Sequence, residues 1–346
     1  MIRRALFASV ALAPLVVVLH YALDLDETVE FVLSAAALVP LAWLIGEATE
    51  HAAEHTGPGI GGFLNATFGN APELIIALLA VHQGLTEVVR GSLTGSVIGN
   101  LLLVLGFSLL FGGRGAIDRQ SSFISLGLVG VATLLLLIPS APGWDGDPER
   151  NSLVDLSIPV SIGLLIAYVA LTWYSLRRHA AMHIASDDEI SGWSFKFALL
   201  VLALATVLTA LVAEILVGTL EVFAHEAGLS EFFVAAVIVA IVGNAAEHGG
   251  AVVVAARGKI MLAAEIALAS SAQVAVFLIP AVALLALLID PLSLALRQVE
   301  IAALGGSVVL TAILLADGRS SRLKGGILIA AYAGVAAAFF QAGERF

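Results

Sequence analysis

Two carboxylates stand where this chain is otherwise apolar: Glu73, inside the run Leu64 to Leu79, and Glu247, inside Val239 to Val254. Each closes the same short pattern, Gly69-Asn70-Ala71-Pro72-Glu73 in the first run and Gly243-Asn244-Ala245-Ala246-Glu247 in the second. A carboxylate deep in a bilayer costs at least about 2.5 kcal/mol on insertion scales, so two in matching positions require a function or a partner. On a helix, residues three apart share a face, so each pattern offers one carboxylate and one amide oxygen together. Glu73, Glu247, Asn70 and Asn244 therefore form a candidate site for a hard cation such as Ca²⁺, which takes roughly six to eight oxygens. Main-chain carbonyls and water would complete the shell. Gly69 and Gly243 carry no side chain and Pro72 removes a helix hydrogen bond, so local breaks that free such carbonyls are expected. The competing reading is a pair of small-residue helix contacts, each Glu protonated and hydrogen-bonded. Packing alone, however, has no need of a Glu.

Polar residues follow each pattern in the next apolar run. Ser92, Thr94, Ser96 and Asn100 punctuate one; Ser270, Ser271 and Gln273 interrupt the other. They can hold the ligands, touch the ion's water, or act as ordinary helix-to-helix hydrogen bonds. Asn100 and Gln273 are favoured for a supporting role, because an amide is costlier to bury than a hydroxyl. His248 follows Glu247 directly, whereas Leu74 stands at the matching place, and an imidazole there can accept a proton near neutral pH. His51-Ala52-Ala53-Glu54-His55 has the H-x-x-E-H order of a zinc protease motif, with His51 and His55 as ligands and Glu54 as base. Glu47, Glu50, His51, Glu54 and His55 are explained more simply as a solvated helix end, or as a funnel that gathers cations. Glu214 and Glu221, one heptad apart, mark a possible opposite vestibule.

The elements that must position these residues are membrane helices. Hydrophobic residues make up 60% of the 346, charged residues 12%, and the mean hydropathy is +1.03, far from the composition of soluble domains. Apolar runs of span length recur throughout, so the fold class is an all-α polytopic membrane protein. The net charge of -11 argues against nucleic acid and favours cations. The absence of cysteine excludes disulfides and thiolate metal sites. The run Ala5 to Leu23 reads as a retained helix rather than a cleaved signal, since no small-residue cleavage pattern precedes Asp24-Leu25-Asp26-Glu27.

Eleven spans are expected, at about 4–23, 29–52, 62–82, 90–112, 120–139, 153–176, 195–224, 230–256, 260–289, 294–316 and 322–341. With the N-terminus in the cytoplasm, twelve of the 16 Lys and Arg fall inside, leaving Arg90, Arg150, Arg297 and Arg345 outside. Asn70 and Asn244 lie 174 positions apart, half of the 346-residue chain. One N-terminal helix (1–28) therefore precedes a five-helix unit (29–176), a cytoplasmic linker (177–194) and a second five-helix unit (195–346). An odd number of spans per unit makes the two units inverted repeats, and cation sites in such proteins sit where the units meet.

The segments GNAPEL at 69–74 within LNATFGNAPELI, GNAAEH at 243–248 and SSAQ at 270–273 resemble the two alpha-repeats of the cation/proton exchanger family, within the cation/calcium antiporter superfamily. The resemblance covers about residues 29–341. It implies Ca²⁺ and H⁺ as transported partners, no resident cofactor, and no enzyme activity. It further implies that Glu73 and Glu247 alternate between metal and proton, with Asn70, Asn244 and His248 around them. Ala240 stands where the family often has Pro, and the long regulatory tails of some plant and fungal relatives have no counterpart. A prokaryotic inner membrane is the expected location. The in-class rival is exchange of Na⁺ or K⁺ for H⁺; the enzyme rival is the zinc protease reading.

Overall fold

The computed structural model describes residues 7–56, 64, 67–180 and 192–343, leaving the side chains of 171, 173–180 and 246–248 outside that set. Apart from a pair of two-residue strands, the described residues form helices. We number them α1 (Leu12–Ala22), α2 (Glu27–Glu54), α3 (Ala71–His82), α4 (Thr86–Gly112), α5 (Arg119–Gly143), α6 (Asn151–Ala180), α7 (Phe195–Gly218) and α8 (Leu220–Ala227). The remaining five are α9 (Glu231–Gly243), α10 (Ala245–Ala256), α11 (Ile260–Ala286), α12 (Gln298–Leu315) and α13 (Arg322–Ala342). Starts are set by short polar residues that cap free main-chain amides. Asp26 accepts from the Thr28 and Val29 N–H groups, Asp118 from Gln120 and Ser121, and Ser230 from Phe233.

Eight of these helices are long and apolar enough to cross a membrane, and α8 with α9, bent by 109°, makes a ninth candidate. The eleven spans expected from hydropathy are thus not eleven straight rods. The expected span at 62–82 is helical as α3 from Ala71, after a turn at 69–70, with 62–63 and 65–66 outside the described residues. The expected span at 230–256 is two helices joined at Asn244, and that at 195–224 is interrupted at Thr219. Hydropathy registers a run of apolar residues but not a one-residue break in its hydrogen-bond ladder.

Residues 174 apart do the same structural work. Asn70 and Asn244 both leave the helical conformation, at φ -98°, ψ 14° and φ -90°, ψ 7°. Gly84 and Gly258 turn the chain after α3 and α10 with φ of +75° and +82°, a region costly for a residue with a Cβ. Both α4 and α11 carry a wide-turn π segment, Gly99–Val104 and Val274–Leu278. Such segments insert an extra residue into the helix ladder and are frequent at functional sites.

Packing places α4 at the centre: 83% of its most apolar window is buried, against 17% for α13. Two glycines let α4 lie directly on α9. A Cβ at Gly95 would come within 2.0 Å of the Ala236 carbonyl, and one at Gly91 within 3.0 Å of the Phe232 ring. Small residues at a four-residue repeat are the usual means of close helix approach in lipid. The long helices α2 and α7 pack along each other. Exposed Leu134, Ile138, Val309, Ile313 and Leu323 give α5, α12 and α13 the lipid-facing sides a membrane bundle needs.

The connections meet in the groups that an alternating path requires. Gly115–Ala116 (β1) pairs antiparallel with Arg319–Ser320 (β2), joining the α4–α5 turn to the α12–α13 turn. At the same end, following that path, His55 Nε2 lies 2.9 Å from the Trp193 carbonyl. At the other end Arg90 at the start of α4 reaches Ser293 before α12, and the Thr28 hydroxyl donates to Glu226 of α8.

Candidate cation site between the two motifs

Breaking the helices at Asn70 and Asn244 puts the working side chains of each pattern at a helix start. Glu73 sits in the first turn of α3, 7% exposed, with Pro72 in that same turn, where its missing N–H costs nothing. The carboxyl arm of Glu73 lies against the other motif: a Cβ on Gly243 would meet Glu73 Cγ at 3.1 Å and Cδ at 3.6 Å. Glycine at 243 is thus what admits a carboxylate beside Asn244. Glu73 lines a small cleft together with Ile76, Ser92, Leu93, Ser96, Val239 and Ala240, so α3, α4 and α9 all contribute walls.

Asn244, 1% exposed, ties this cleft to its surroundings. Its amide nitrogen donates to Ser96 Oγ at 2.7 Å and to the Ala240 carbonyl at 2.9 Å, the latter satisfying an acceptor near the end of α9. Its oxygen accepts from the Asn100 amide at 3.2 Å, and the same Asn100 nitrogen donates to Ser270 Oγ at 3.1 Å. Ser96, Asn244, Asn100 and Ser270 thus form one chain of hydrogen bonds from α4 across the α9–α10 break to α11. The oxygen of Asn100, wholly buried, has no hydrogen-bond partner among the described residues. An orphaned acceptor in a dry interior is unfavourable unless a cation, proton donor or water visits it.

Other expected residues fall differently. Asn70 is buried at the start of α3. Ser271 Oγ donates to Ala267 O at 2.9 Å, back into its own helix, and Gln273 is half-buried at the edge of the α11 π segment. The backbone of Glu247 and His248 belongs to α10, while their side chains lie outside the described residues. Glu50 and Glu54 are exposed near the end of α2. Glu214 and Glu221 are also exposed, but the break at Thr219 lies between them, so heptad spacing does not put them on one helix face.

The zinc protease reading does not fit the geometry. His51 Nδ1 lies 3.2 Å from Glu54 Oε2 and its Nε2 lies 3.6 Å from Glu47 Oε1. The His55 Nε2–H is spent on the Trp193 carbonyl. The two imidazoles address different partners, and among the described residues no group of three or more His, Asp or Glu converges on a metal position.

A second polar cluster, behind α4, escaped the sequence reading. Arg90, 1% exposed, donates to Glu87 Oε1 at 2.6 Å, to Glu149, and to the Ser293 carbonyl at 3.1 Å. Arg297 Nε donates to Glu87 Oε2 at 2.7 Å, and its guanidinium lies 4.2 Å from the centre of the Phe232 ring. Glu300, wholly buried, accepts from the Arg297 N–H at 2.8 Å and contacts the Thr94 hydroxyl at 2.8 Å. Hydropathy places Arg90 and Arg297 at span ends as solvated charges; the fold buries both. The signal was present in Glu300, a further carboxylate at the start of an apolar run.

Known proteins share this architecture. The family model described as "Sodium/calcium exchanger protein" matches residues 27–177 and 197–341. The chain is 37% identical to the Ca²⁺/H⁺ antiporter ChaA of Bacillus subtilis, over 91% of this chain and 92% of that protein. It is 35% identical to a Ca²⁺/H⁺ antiporter of Synechocystis, over 94% of each. The solved structure of native YfkE superimposes with a TM-score of 0.84 at 35% identity, covering 97% of this chain and 99% of that one. A solved H⁺/Ca²⁺ exchanger CAX shares the fold at a TM-score of 0.74 and 15% identity, covering 98% of this chain and 92% of that one.

Proposed function

The chain belongs to the sodium/calcium exchanger protein family, and we propose that it exchanges Ca²⁺ for protons across a membrane, Glu73 and Glu247 carrying either the metal or the protons. The observation that carries this reading is the contact of Glu73 with Gly243, which brings a buried carboxylate from one motif to the other beside a cleft that also holds Ser92 and Ser96. The relatives named Ca²⁺/H⁺ antiporter, similar over nearly their whole length, support the choice of ions. Nothing in this reading converts its substrate chemically, so the protein is a transporter and not an enzyme.

Burial disfavours a bare carboxylate. With two protons, or with one Ca²⁺, the pair of glutamates is close to neutral. With neither, two charges stand in a poorly solvated interior at large cost. Only the occupied forms then pass between the two faces of the membrane, and that restriction couples the fluxes. Asn70 and Asn244 add amide oxygens to the metal, Ser96 and Asn100 hold Asn244, Ser270 holds Asn100, and His248 beside Glu247 takes up a proton near neutral pH. The exposed carboxylates of Glu50 and Glu54, and of Glu214 and Glu221, gather cations at the two mouths.

The same proposal includes the division into a leading helix, two inverted units at 29–176 and 195–346, and a linker between them. The Lys and Arg distribution puts the N-terminus in the cytoplasm and the C-terminus outside. The bacterial relatives favour a prokaryotic plasma membrane. Proteoliposomes with an imposed proton gradient test it: Ca²⁺ uptake should follow the gradient, and excess Na⁺ or K⁺ should leave it unchanged. Uptake of Na⁺ or K⁺ with indifference to Ca²⁺ would replace this reading by monovalent exchange.

A further inference from the structure

We propose that Glu300 is held as the neutral acid and serves as a positioning residue, bracing α4 from behind so that Ser92 and Ser96 face Glu73. Two independent counts lead there. The first is of charge. The guanidiniums of Arg90 and Arg297 are matched by the carboxylates of Glu87 and Glu149, through the pairs Arg90–Glu87, Arg90–Glu149 and Arg297–Glu87. Among the described residues, two positive and two negative groups balance. Glu300 forms no ion pair among the described residues; its partners are a main-chain N–H and a hydroxyl. As a carboxylate it would be an unmatched charge with no exposure at all.

The second count is of protons. Thr94 Oγ1 lies 2.9 Å from the Arg90 carbonyl, 3.1 Å from the Gly91 carbonyl and 2.8 Å from Glu300 Oε1. A hydroxyl has one proton to give. In this bundle Thr49, Thr133, Thr206 and Thr219 all give theirs to the carbonyl four residues earlier. If Thr94 does the same, the short contact to Glu300 is made by a proton on the carboxyl, which donates to Thr94 Oγ1. Oε2 of Glu300 still accepts from Arg297 N–H.

The consequence for the site is geometric. Thr94 is two residues from both Ser92 and Ser96, which is about 200° around a helix at 100° per residue. Ser92 and Ser96 line the cleft with Glu73, and Ser96 also receives the amide of Asn244. Glu300 therefore grips the opposite side of the helix that presents these hydroxyls. It neither touches the cleft nor belongs to the exchanging pair of carboxylates, so it adds nothing to the number of protons exchanged.

Infrared difference spectra of the whole detergent-purified protein, wild type against Glu300→Gln, test the protonation directly. The expected result is a carbonyl band of an un-ionised carboxylic acid that is missing in Glu300→Gln and is unmoved by Ca²⁺ at neutral pH. No such band, or its loss on adding Ca²⁺, overturns the proposal. The positioning role is read in proteoliposomes and rests on the exchange proposed above, whereas the spectrum needs no transport at all. Glu300→Gln, which keeps a donor and an acceptor, should leave the pH profile of exchange where it is. Thr94→Val should raise the half-saturating Ca²⁺ about fivefold, the equivalent of one buried hydrogen bond, and Thr94→Ser should restore it. A displaced pH profile in Glu300→Gln would make Glu300 a titrating member of the machinery and refute the brace. So would a Thr94→Val protein with unchanged half-saturation.

Discussion

The two sides of α4 are built on opposite principles. In front, Ser92, Ser96 and Glu73 border a cleft, and the neighbouring Asn100 keeps a buried oxygen without a partner among the described residues. Among the described residues no Lys or Arg lines that cleft. Behind, Glu87, Arg90, Glu149 and Arg297 spend their charges on one another, and Glu300 bonds to Thr94 and to the Arg297 main chain. A region that must accept and release an ion needs unspent oxygens and no permanent countercharge. A region that only holds helices together does best when its valences are saturated, because every orphaned polar group in a dry interior is a penalty. Buried acidic residues alone therefore do not mark a transport site: Glu73 and Glu300 are both buried, and of the two only Glu73 borders the cleft.

That contrast can be broken by substitution, and the largest effect is expected in front. Glu73→Gln should abolish Ca²⁺/H⁺ exchange in proteoliposomes while leaving the melting temperature of the purified protein nearly unchanged. A mutant that still exchanges at the wild-type rate would remove Glu73 from the proposed pair. Behind α4 the outcome reverses. Arg90→Met leaves Glu87 and Glu149 short of a partner in a buried cluster, so thermal unfolding should register a loss of about 3 kcal/mol, with little change in the Ca²⁺ affinity of the protein that remains folded. A larger effect on affinity than on stability would mean that the cluster takes part in ion handling.

Asn244→Ala sharpens the comparison at intermediate scale. It removes the link between Ser96 and Asn100 and leaves both without that partner, costing about 1–3 kcal/mol. Measured by isothermal titration, the loss should appear mainly in Ca²⁺ binding; an equal loss in apo stability alone would assign Asn244 to the scaffold. The mildest test lies outside the bundle interior. Asp317, in the turn before β2, accepts from Lys324 Nζ at 2.6 Å, and that bond, followed by the Arg319 N–H, holds its carboxyl below the usual carboxylate range. A lowered folded value means that the contribution to stability is present above the ordinary carboxylate range and lost as pH falls through the lowered one. Asp317→Asn should therefore slightly flatten the acid limb of the melting curve below about pH 4, and added salt should erase the difference.

Much of the front of α4 was legible in the sequence, because the cost of burying an acid in lipid makes Glu73 conspicuous. The repeat spacing then located Asn244, Ser96 and Ser270 near it, and the expected breaks at the Gly-Asn patterns fall at Asn70 and Asn244. The back of α4 was not legible. Arg90 and Arg297 lie at the ends of apolar runs, where a long cationic side chain ordinarily reaches water. Only the fold shows that Glu87 and Glu149 meet them first. The H-x-x-E-H pattern, kept in the sequence as the lesser reading, fails for a related reason: it gives a spacing along one helix, whereas His55 is claimed by Trp193 from a distant segment.

By itself the sequence determined that this chain crosses a membrane repeatedly, that it carries two copies of one polar pattern, and that each copy interrupts its helix. These follow from local physics: the length of an apolar run, and the low helix propensity of Gly and Asn. Tertiary structure alone decided that Glu73 rests on Gly243, and that Glu300 supports α4 while Glu73 faces the cleft. Both are carboxylates in apolar runs with similar local surroundings. What separates them is that Glu73 borders a cleft while Glu300 meets Thr94 of α4 and the Arg297 main chain, and that depends on which helices pack together, not on any stretch of chain that can be read in isolation.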